Sequence, residues 1–146
     1  MAKDLIRRKE STRYPGLFVE KYSNKVFYDA LWDAHPAIVE SRGVVKDADG
    51  NVVIRPFTKI FNRGEQGTDI ERDERVLAVQ KINGFMAAAT YVPSFGQVVI
   101  STTGSLDSEY VDLAAEHLLS HLNCVESYIQ NEFAKSGKAM TYLFEI

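Results

Sequence analysis

The sequence predicts an α+β fold of mostly antiparallel strands, with one long helix packed against a sheet. Up to Thr102, short apolar runs alternate with turn residues, which is typical of hairpins. After Thr102, apolar residues recur at helical spacing. The chain has 146 residues, of which 45% are hydrophobic and 25% are charged. This size and composition are typical of one globular domain, so we expect a single domain over residues 1–146.

Turn residues place the strands. Residues 17–22 and 25–28 form a predicted strand pair joined by Ser23-Asn24. Asp49-Gly50 predicts a hairpin between residues 43–46 and 52–55, and Asn83-Gly84 predicts another between residues 77–82 and 85–92. The remaining assignments are a loop at 32–36, an exposed loop or short helix at 63–75, a turn at 93–96, and strands at 98–102 and 139–146.

Residues 107–134 carry the period of one long helix. Ser105 or Asp107 can cap its start, and Gly137 suits its end. His117 and His121 have the four-residue spacing of metal ligands, but no third ligand is evident, so packing or exposure is the interpretation we adopt. Cys124 is interpreted as a buried small hydrophobe. As the single cysteine, it excludes an internal disulfide and a multi-cysteine metal site.

Charge and hydropathy limit the partners. The formal net charge is −3, whereas nucleic-acid binders are usually basic, so any nucleic-acid contact requires a local patch. The basic N-terminal segment, residues 1–16, is one candidate, and a solvated terminal helix is the alternative; its cations are Lys3, Arg7, Arg8, Lys9 and Arg13. No apolar run of 18 residues and no secretory signal are present, so we expect no membrane contact. One free thiol is compatible with the cytoplasm.

Five short motifs follow one another along the chain. The central motif, Lys-x-x-Gly at residues 81–84, is weak by itself, because an exposed lysine before an Asn-Gly turn would look the same. The others are an Arg-Gly pair, a Lys-x-Phe-Asn segment, a Thr-Gly-Ser turn and a Phe-Glu pair, at residues 42–43, 59–62, 103–105 and 144–145.

In this order and spacing, the motifs resemble the bacteriophage-type ATP-dependent RNA ligases of the covalent nucleotidyltransferase superfamily. The resemblance covers residues 17–146 and implies the N-terminal portion of a nucleotidyltransferase (adenylation) domain. It implies that Lys81 attacks the α-phosphate of ATP to give lysyl–AMP, and that AMP then passes to an RNA 5′-phosphate for strand joining. ATP, Mg²⁺ and RNA ends are the implied cofactors and partners, and the host cytoplasm is the implied location of a phage-encoded enzyme.

The resemblance also implies roles for individual residues. Arg42 and Lys59 would hold phosphate oxygens, Phe61 would stack on adenine, and Glu145 would lie near the ribose hydroxyls. Gly84 would let the backbone approach the ligand. Glu40 and Thr103 are further candidates. Each has a plainer alternative: a surface charge for Arg42, Lys59, Glu40 or Glu145, and a core position for Phe61.

Lysine chemistry sets a physical demand on this site. A free lysine amine is protonated at neutral pH, so the site must favour the neutral amine through burial and nearby positive charge. The apolar residues 77–79 are expected to supply burial, and Arg42 and Lys59 the charge. We therefore expect Lys81 to end a strand and to face one pocket with Arg42, Lys59 and Glu145.

Two departures from the family pattern qualify the function. Thr103 stands where many relatives carry a cation, and a metal-associated glutamate strand and a Lys-x-Lys strand are not among the 146 residues. We expect this chain by itself not to seal RNA, to form little stable adenylate, and to self-associate through apolar surface around Phe61 and Leu143. The alternative function is a catalytically inactive nucleotide- or nucleic-acid-binding module. DNA ligases and capping guanylyltransferases share the lysine chemistry, but the Lys-x-Phe-Asn segment favours RNA ligases.

Overall fold

A computed structural model describes residues 4–121 and 124–146, except for the side chain of His121. Its strands form two antiparallel sheets, one in the order β1-β2-β3-β4 and one in the order β6-β5-β7. This confirms the α+β class. The strands are β1 Ile6–Glu10, β2 Phe18–Tyr22, β3 Arg42–Lys46, β4 Val52–Ile54, β5 Met86–Val92, β6 Gln97–Thr102 and β7 Tyr142–Glu145.

Short helices connect and cover the sheets. They are α1 Asn24–Tyr28, a 3₁₀ turn Trp32–Ala34, α2 Ala37–Glu40, α3 Glu109–Ala115, a π-helical segment Glu116–His121 and α4 Cys124–Ser136. Within the described ranges, none of them is long and apolar enough to cross a membrane. Gly137 follows the end of α4, as predicted, and its amide donates to the carbonyl of Phe133 at 2.8 Å.

Strand alternation builds the molecule in layers. The facing sides of the two sheets bury residues such as Val19, Val45, Ala88 and Val99 between them. The other side of the second sheet packs on α3 and α4, whose buried residues include Val111, Ala114 and Ile129. The other side of the first sheet is covered by α1, the 3₁₀ turn and α2, through Val26, Trp32 and Ile38.

The hairpin around Asp49-Gly50 is confirmed, because β3 and β4 pair antiparallel across it. The strand pair at residues 17–22 and 25–28 is half wrong. Residues 18–22 form β2, but residues 24–28 form α1, with Ser23 in the N-cap position. A short apolar run does not distinguish a strand from a helix, and Ser-Asn suits a helix start as well as a turn.

The predicted hairpin around Asn83-Gly84 is wrong. Residues 77–82 form no strand, although β5 lies where the second arm was expected. The two neighbours of β5 are β6 and β7, so neither edge of β5 is open to residues 77–82. Pairing of β5 with the following strand β6 and with the distant strand β7 therefore overrides a strong local turn signal.

The single long helix is also wrong. The described part of residues 107–134 divides into α3, the π-helical segment and the first part of α4, and residues 122 and 123 lie outside the description. Ser108, rather than Ser105 or Asp107, precedes α3 as N-cap. A π segment changes the hydrogen bonding from i→i+4 to i→i+5 and so shifts the inward-facing stripe. Cys124 is accordingly exposed, contrary to prediction.

Candidate functional site

The Arg-Gly pair opens β3 and lies against the turn after β6. Arg42 is half-buried, and Gly43 has a φ of 90°. A Cβ at position 43 would lie 2.7 Å from the Cα of Thr103, a separation that no side chain tolerates against backbone. Glycine is therefore required for β3 to approach residue 103 this closely. The Arg-Gly pair and the Thr-Gly-Ser turn, distant in sequence, are neighbours in space.

Gly84 approaches the end of β7 in the same way. A Cβ at position 84 would collide with the carbonyl oxygen of Ile146 and would lie 3.2 Å from Cγ of Glu145. Phe85 and Ile146 then exchange backbone hydrogen bonds of 3.0 Å, and Met86 lies opposite Glu145. The glycine of Lys-x-x-Gly therefore contacts the strand that carries Glu145.

Both close approaches lie at one end of the second sheet. In β5, Ala87 pairs with Thr102 on one side and with Phe144 on the other. One step towards the start of β5, the chain reaches Thr103 on the first side and Glu145 on the second. The structure thus brings together residues from four of the five motifs, which we call the gathered edge: Arg42, Gly43, Gly84, Thr103 and Glu145.

Lys81 adjoins the gathered edge but is exposed to solvent. It precedes Gly84 by three residues, so the two Cα atoms lie at most about 11 Å apart. Its Nζ lies 3.3 Å from Oδ1 of Asn83 and 3.4 Å from the carbonyl oxygen of Ile82. The burial expected from residues 77–79 is wrong, because Leu77 is 89% exposed and Val79 is 80% exposed. Because both edges of β5 are occupied by β6 and β7, residues 77–79 cannot join the second sheet and stay exposed.

The fifth motif lines a separate pocket of about 360 Å³. Lys59 Nζ lies 4.8 Å from the ring centre of Phe61 and 5.3 Å from that of Trp32. The two rings meet edge to face, with centroids 5.4 Å apart. Such a cation held against aromatic faces is a favourable electrostatic contact. The pocket is lined by Phe27, Ala30, Trp32, Lys59, Phe61, Asn62, Glu65 and Gln66.

Polar groups close one side of this pocket. The backbone amide of Asn62 donates to Oε2 of Glu65 at 2.9 Å, and its side-chain amide donates to Oε1 at 3.2 Å. These hydrogen bonds, with a smaller contribution from the charge of Lys59, hold the pKa of Glu65 below its ordinary value. The pocket therefore combines aromatic walls with one cation and one carboxylate, and a volume in the lower range of small-molecule sites.

A backbone contact ties the pocket to the gathered edge. The amide of Lys59 donates to the carbonyl of Val39 at 2.7 Å. Val39 precedes Arg42 by three residues, so their Cα atoms lie at most about 11 Å apart. Glu40, the exposed last residue of α2, lies on this connection. A shared pocket for Lys81, Arg42, Lys59 and Glu145 stays a prediction.

The sequence did not predict that Trp32 and Phe27 line the pocket of Lys59 and Phe61. Trp32 is the single tryptophan of the chain, and an isolated Trp in an Asp-, His- and Pro-containing stretch was the available signal. Phe61 and Leu143 themselves are half-buried in hydrophobic clusters. Apolar surface is exposed beside Phe61, at Phe57 and Ile60, and again between residues 76 and 82.

No metal centre is found among the described residues, where no group of three or more His, Cys, Asp or Glu could hold an ion. His117 lies in the π-helical segment and is exposed, while the side chain of His121 lies outside the description.

A comparison with protein-family models finds no match for this chain, and a search of curated proteins finds none either.

Proposed function

We propose that this protein is an RNA ligase-like adenylyltransferase in which Lys81 becomes adenylated by ATP. The observation that carries the proposal is the gathered edge. Gly43 and Gly84 each lie where a methyl group would meet backbone, and they bring Arg42 and Glu145 to the end of the sheet from which the Lys81 segment departs. In the proposal, a cation, a carboxylate and an amine from three distant parts of the chain meet around the ATP phosphates.

The proposed chemistry transfers one adenylyl group. The Nζ lone pair of Lys81 attacks the α-phosphorus of ATP, the Nζ–P bond forms, the bond to the bridging oxygen breaks, and pyrophosphate leaves. The amine gives up its proton to solvent. An oxygen of an RNA 5′-phosphate then attacks the same phosphorus, the P–N bond breaks, and the lysine recovers a proton. Attack by an RNA 3′-hydroxyl on the activated 5′-phosphate expels AMP and seals the strand.

The chain's own residues supply positioning and charge in this proposal. The Arg42 guanidinium suits bidentate contact with phosphate oxygens. Trp32 and Phe61 would hold the adenine, with Lys59 beside them. Mg²⁺ usually enters such sites on the nucleotide phosphates, with one or two protein carboxylates, and there it neutralises phosphate charge. Glu145, exposed beside Gly84, would accept hydrogen bonds from the ribose hydroxyls.

One observation favours a second function, a nucleotide- or nucleic-acid-binding module without chemistry. Lys81 is exposed, and the apolar residues before it are exposed as well. Nucleophilic lysines are activated by desolvation in an apolar pocket or by a neighbouring cation, so in the proposed enzyme the segment at residues 76–82 becomes covered when ATP binds. A module that only binds its ligand has no such requirement.

Two minor parts of the proposal concern assembly and location. Val76, Leu77, Val79 and Ile82 form an exposed apolar stretch, and exposed apolar patches favour self-association. Light scattering across a concentration series would measure it. We also place the protein in the cytoplasm, where ATP and RNA ends occur together, and fractionation of expressing cells would test that placement.

The decisive experiment incubates the full-length protein with ATP and Mg²⁺ and identifies a covalent AMP adduct by peptide mass spectrometry. We expect a low yield of adduct, in keeping with the little stable adenylate expected from the sequence, with the AMP on Lys81 and no adduct in Lys81→Ala. Lys138→Ala, which removes an exposed lysine beyond α4, is the matched control and should keep the adduct. ATP binding without any adduct would favour the binding module. An adduct that persists in Lys81→Ala would contradict the proposed nucleophile.

A further inference from the structure

Three cations lie abreast on neighbouring strands of the first sheet. Arg7 of β1 pairs with Lys21 of β2, and Lys21 pairs with Arg42 of β3. Directly opposite residues of antiparallel strands carry their side chains on the same face of the sheet. We call Arg7, Lys21 and Arg42 the cationic row; it spans two interstrand spacings, roughly 10 Å.

The row has no counter-ion within residues 4–121 and 124–146, where none of its three side chains forms an ion pair or a hydrogen bond. The opposite face of the same strands is different. There Glu20 accepts a 2.6 Å hydrogen bond from Lys46 and lies 4.0 Å from Arg8. Because successive side chains along β2 point to opposite faces, Glu20 cannot neutralise Lys21.

The other cations of the described N-terminal residues are already engaged, and Lys3 lies outside the described residues. Arg13 pairs with both carboxylate oxygens of Asp112, and Lys9 contributes to the electrostatic environment of Asp107. The basic patch expected over residues 1–16 is therefore dispersed among separate carboxylates, and the expected terminal helix is instead strand β1. Arg7 alone of the described cations in that segment joins the row.

The cationic row extends from the exposed strand β1 to the gathered edge, which contains Arg42. Arg7 and Lys21 are exposed, whereas Arg42 is half-buried beside Gly43 and Thr103. Lys21 reaches the turn after β6, since its Cδ would lie 3.9 Å from a Cβ placed on Gly104. Like charges directly opposite one another destabilise a sheet, so the row is an unneutralised feature that an anion from outside would stabilise.

We propose that the cationic row binds the phosphates of a single-stranded RNA, with the 5′-terminal phosphate between Lys21 and Arg42 and later phosphates running outward to Arg7. A line of single cations matches a linear polyanion better than a compact one, because each cation meets a different phosphate. The choice of RNA among linear polyanions rests on the proposed function. The cations themselves are placed by strand register alone.

The test measures binding of a fluorescent single-stranded RNA with a 5′-phosphate to the full-length protein across a salt series. Each phosphate contact on a single strand contributes about −0.7 to the slope of log affinity against log salt, so three contacts give about −2. We expect Arg7→Gln and Lys21→Gln each to reduce the slope by about 0.7. RNA ending in a 5′-hydroxyl should bind more weakly than 5′-phosphorylated RNA to the wild type, and this difference should be smaller in Lys21→Gln, where only Arg42 still contacts the 5′-phosphate.

Lys138→Gln is the matched control, since Lys138 is exposed and precedes β7 at the end away from Glu145. It should bind RNA as the wild type does. The proposal that the cationic row binds RNA would be overturned if no RNA bound, or if the salt slope were unchanged in both Arg7→Gln and Lys21→Gln. Adduct formation at Lys81 is read separately, without RNA. If RNA binding depends on the cationic row but no adduct forms, the row is supported and the proposed adenylyltransferase activity is contradicted. If an adduct forms but RNA binding does not depend on the row, the activity is supported and the row is contradicted.

Discussion

Lys21 lies directly opposite Arg42 across β2 and β3, although the residue before it, Glu20, is ion-paired on the other face of the sheet. The pairing register shifts between Glu20 and Lys21, at the point where Gly43 packs against Thr103. The same irregularity therefore sets two features. It brings β3 to the gathered edge, and it aligns a lysine with an arginine.

Replacing Lys21 with glutamine should stabilise the free protein. Like charges directly opposite in a sheet cost roughly 0.2–1 kcal/mol, and Lys21 has an arginine on each side. Urea unfolding at low salt should show a gain within that range. The gain should shrink in 1 M salt, where the Debye length is about 3 Å. Lys138→Gln should change little at either salt, and a loss of stability in Lys21→Gln at low salt would contradict the alignment.

Replacing Gly43 with alanine should loosen the gathered edge. The new methyl group combines a left-handed φ of 90° with a 2.7 Å approach to the Cα of Thr103. Gly50→Ala is the matched control, because Gly50 has a φ of 88° and nothing within 4 Å of its Cβ position. Both variants carry the backbone strain, of order 1 kcal/mol. Chemical unfolding should show an additional loss for Gly43→Ala alone, and equal losses would argue against the close approach.

Local sequence signals predicted the strand pairing best where a turn joins two strands that are adjacent in the sequence. Asp49-Gly50 joins adjacent strands, and its hairpin formed as expected. Asn83-Gly84 carries an equally strong signal, but one edge of β5 is taken by β6, the next strand of the chain, and the other by residues 142–145, which lie far along the chain. Pairing of distant strands leaves no local trace, so the hairpin prediction failed there.

The residues of the candidate site also differ in whether the sequence could predict them. The family resemblance named Arg42, Gly84 and Glu145, and these residues lie at or beside one end of the second sheet. The cationic row could not be inferred in the same way, because Lys21 belongs to it only through the register of three strands. No strand was predicted within residues 1–16, so the pairing of Arg7 with Lys21 could not be predicted.

Asp107 should stabilise the fold in a pH-dependent manner. Burial alone would raise the pKa of this carboxyl group, but hydrogen bonds from Ser11 Oγ and the amides of Arg13 and Thr12 outweigh burial and lower the pKa. A lowered folded-state pKa means that the stabilisation is present above the unfolded value of about 3.9 and is lost as the pH falls through the folded value.

The matching substitution is Asp107→Asn, which keeps the shape and one acceptor oxygen but removes the charge. We expect a loss of about 1–2 kcal/mol at pH 7, from weakened hydrogen bonds. The loss should diminish below about pH 4, in urea titrations at several pH values. Asp73→Asn, at an exposed aspartate without side-chain hydrogen bonds among the described residues, should show no such trend. A loss that stays constant down to pH 2 would refute the linkage.

Trp32, as the only tryptophan, should report occupation of the pocket it shares with Lys59 and Phe61. If the pocket holds adenine, ATP and AMP should each change the tryptophan fluorescence in a saturable manner. Pyrophosphate, which has no base, should not. Stacking of a base on an aromatic ring contributes about 1–3 kcal/mol, so Phe61→Leu should weaken AMP binding about fivefold or more. Phe95→Leu, in the turn between β5 and β6, is the control and should bind AMP normally. Equal responses to AMP and pyrophosphate would show that the aromatic pocket does not recognise the base.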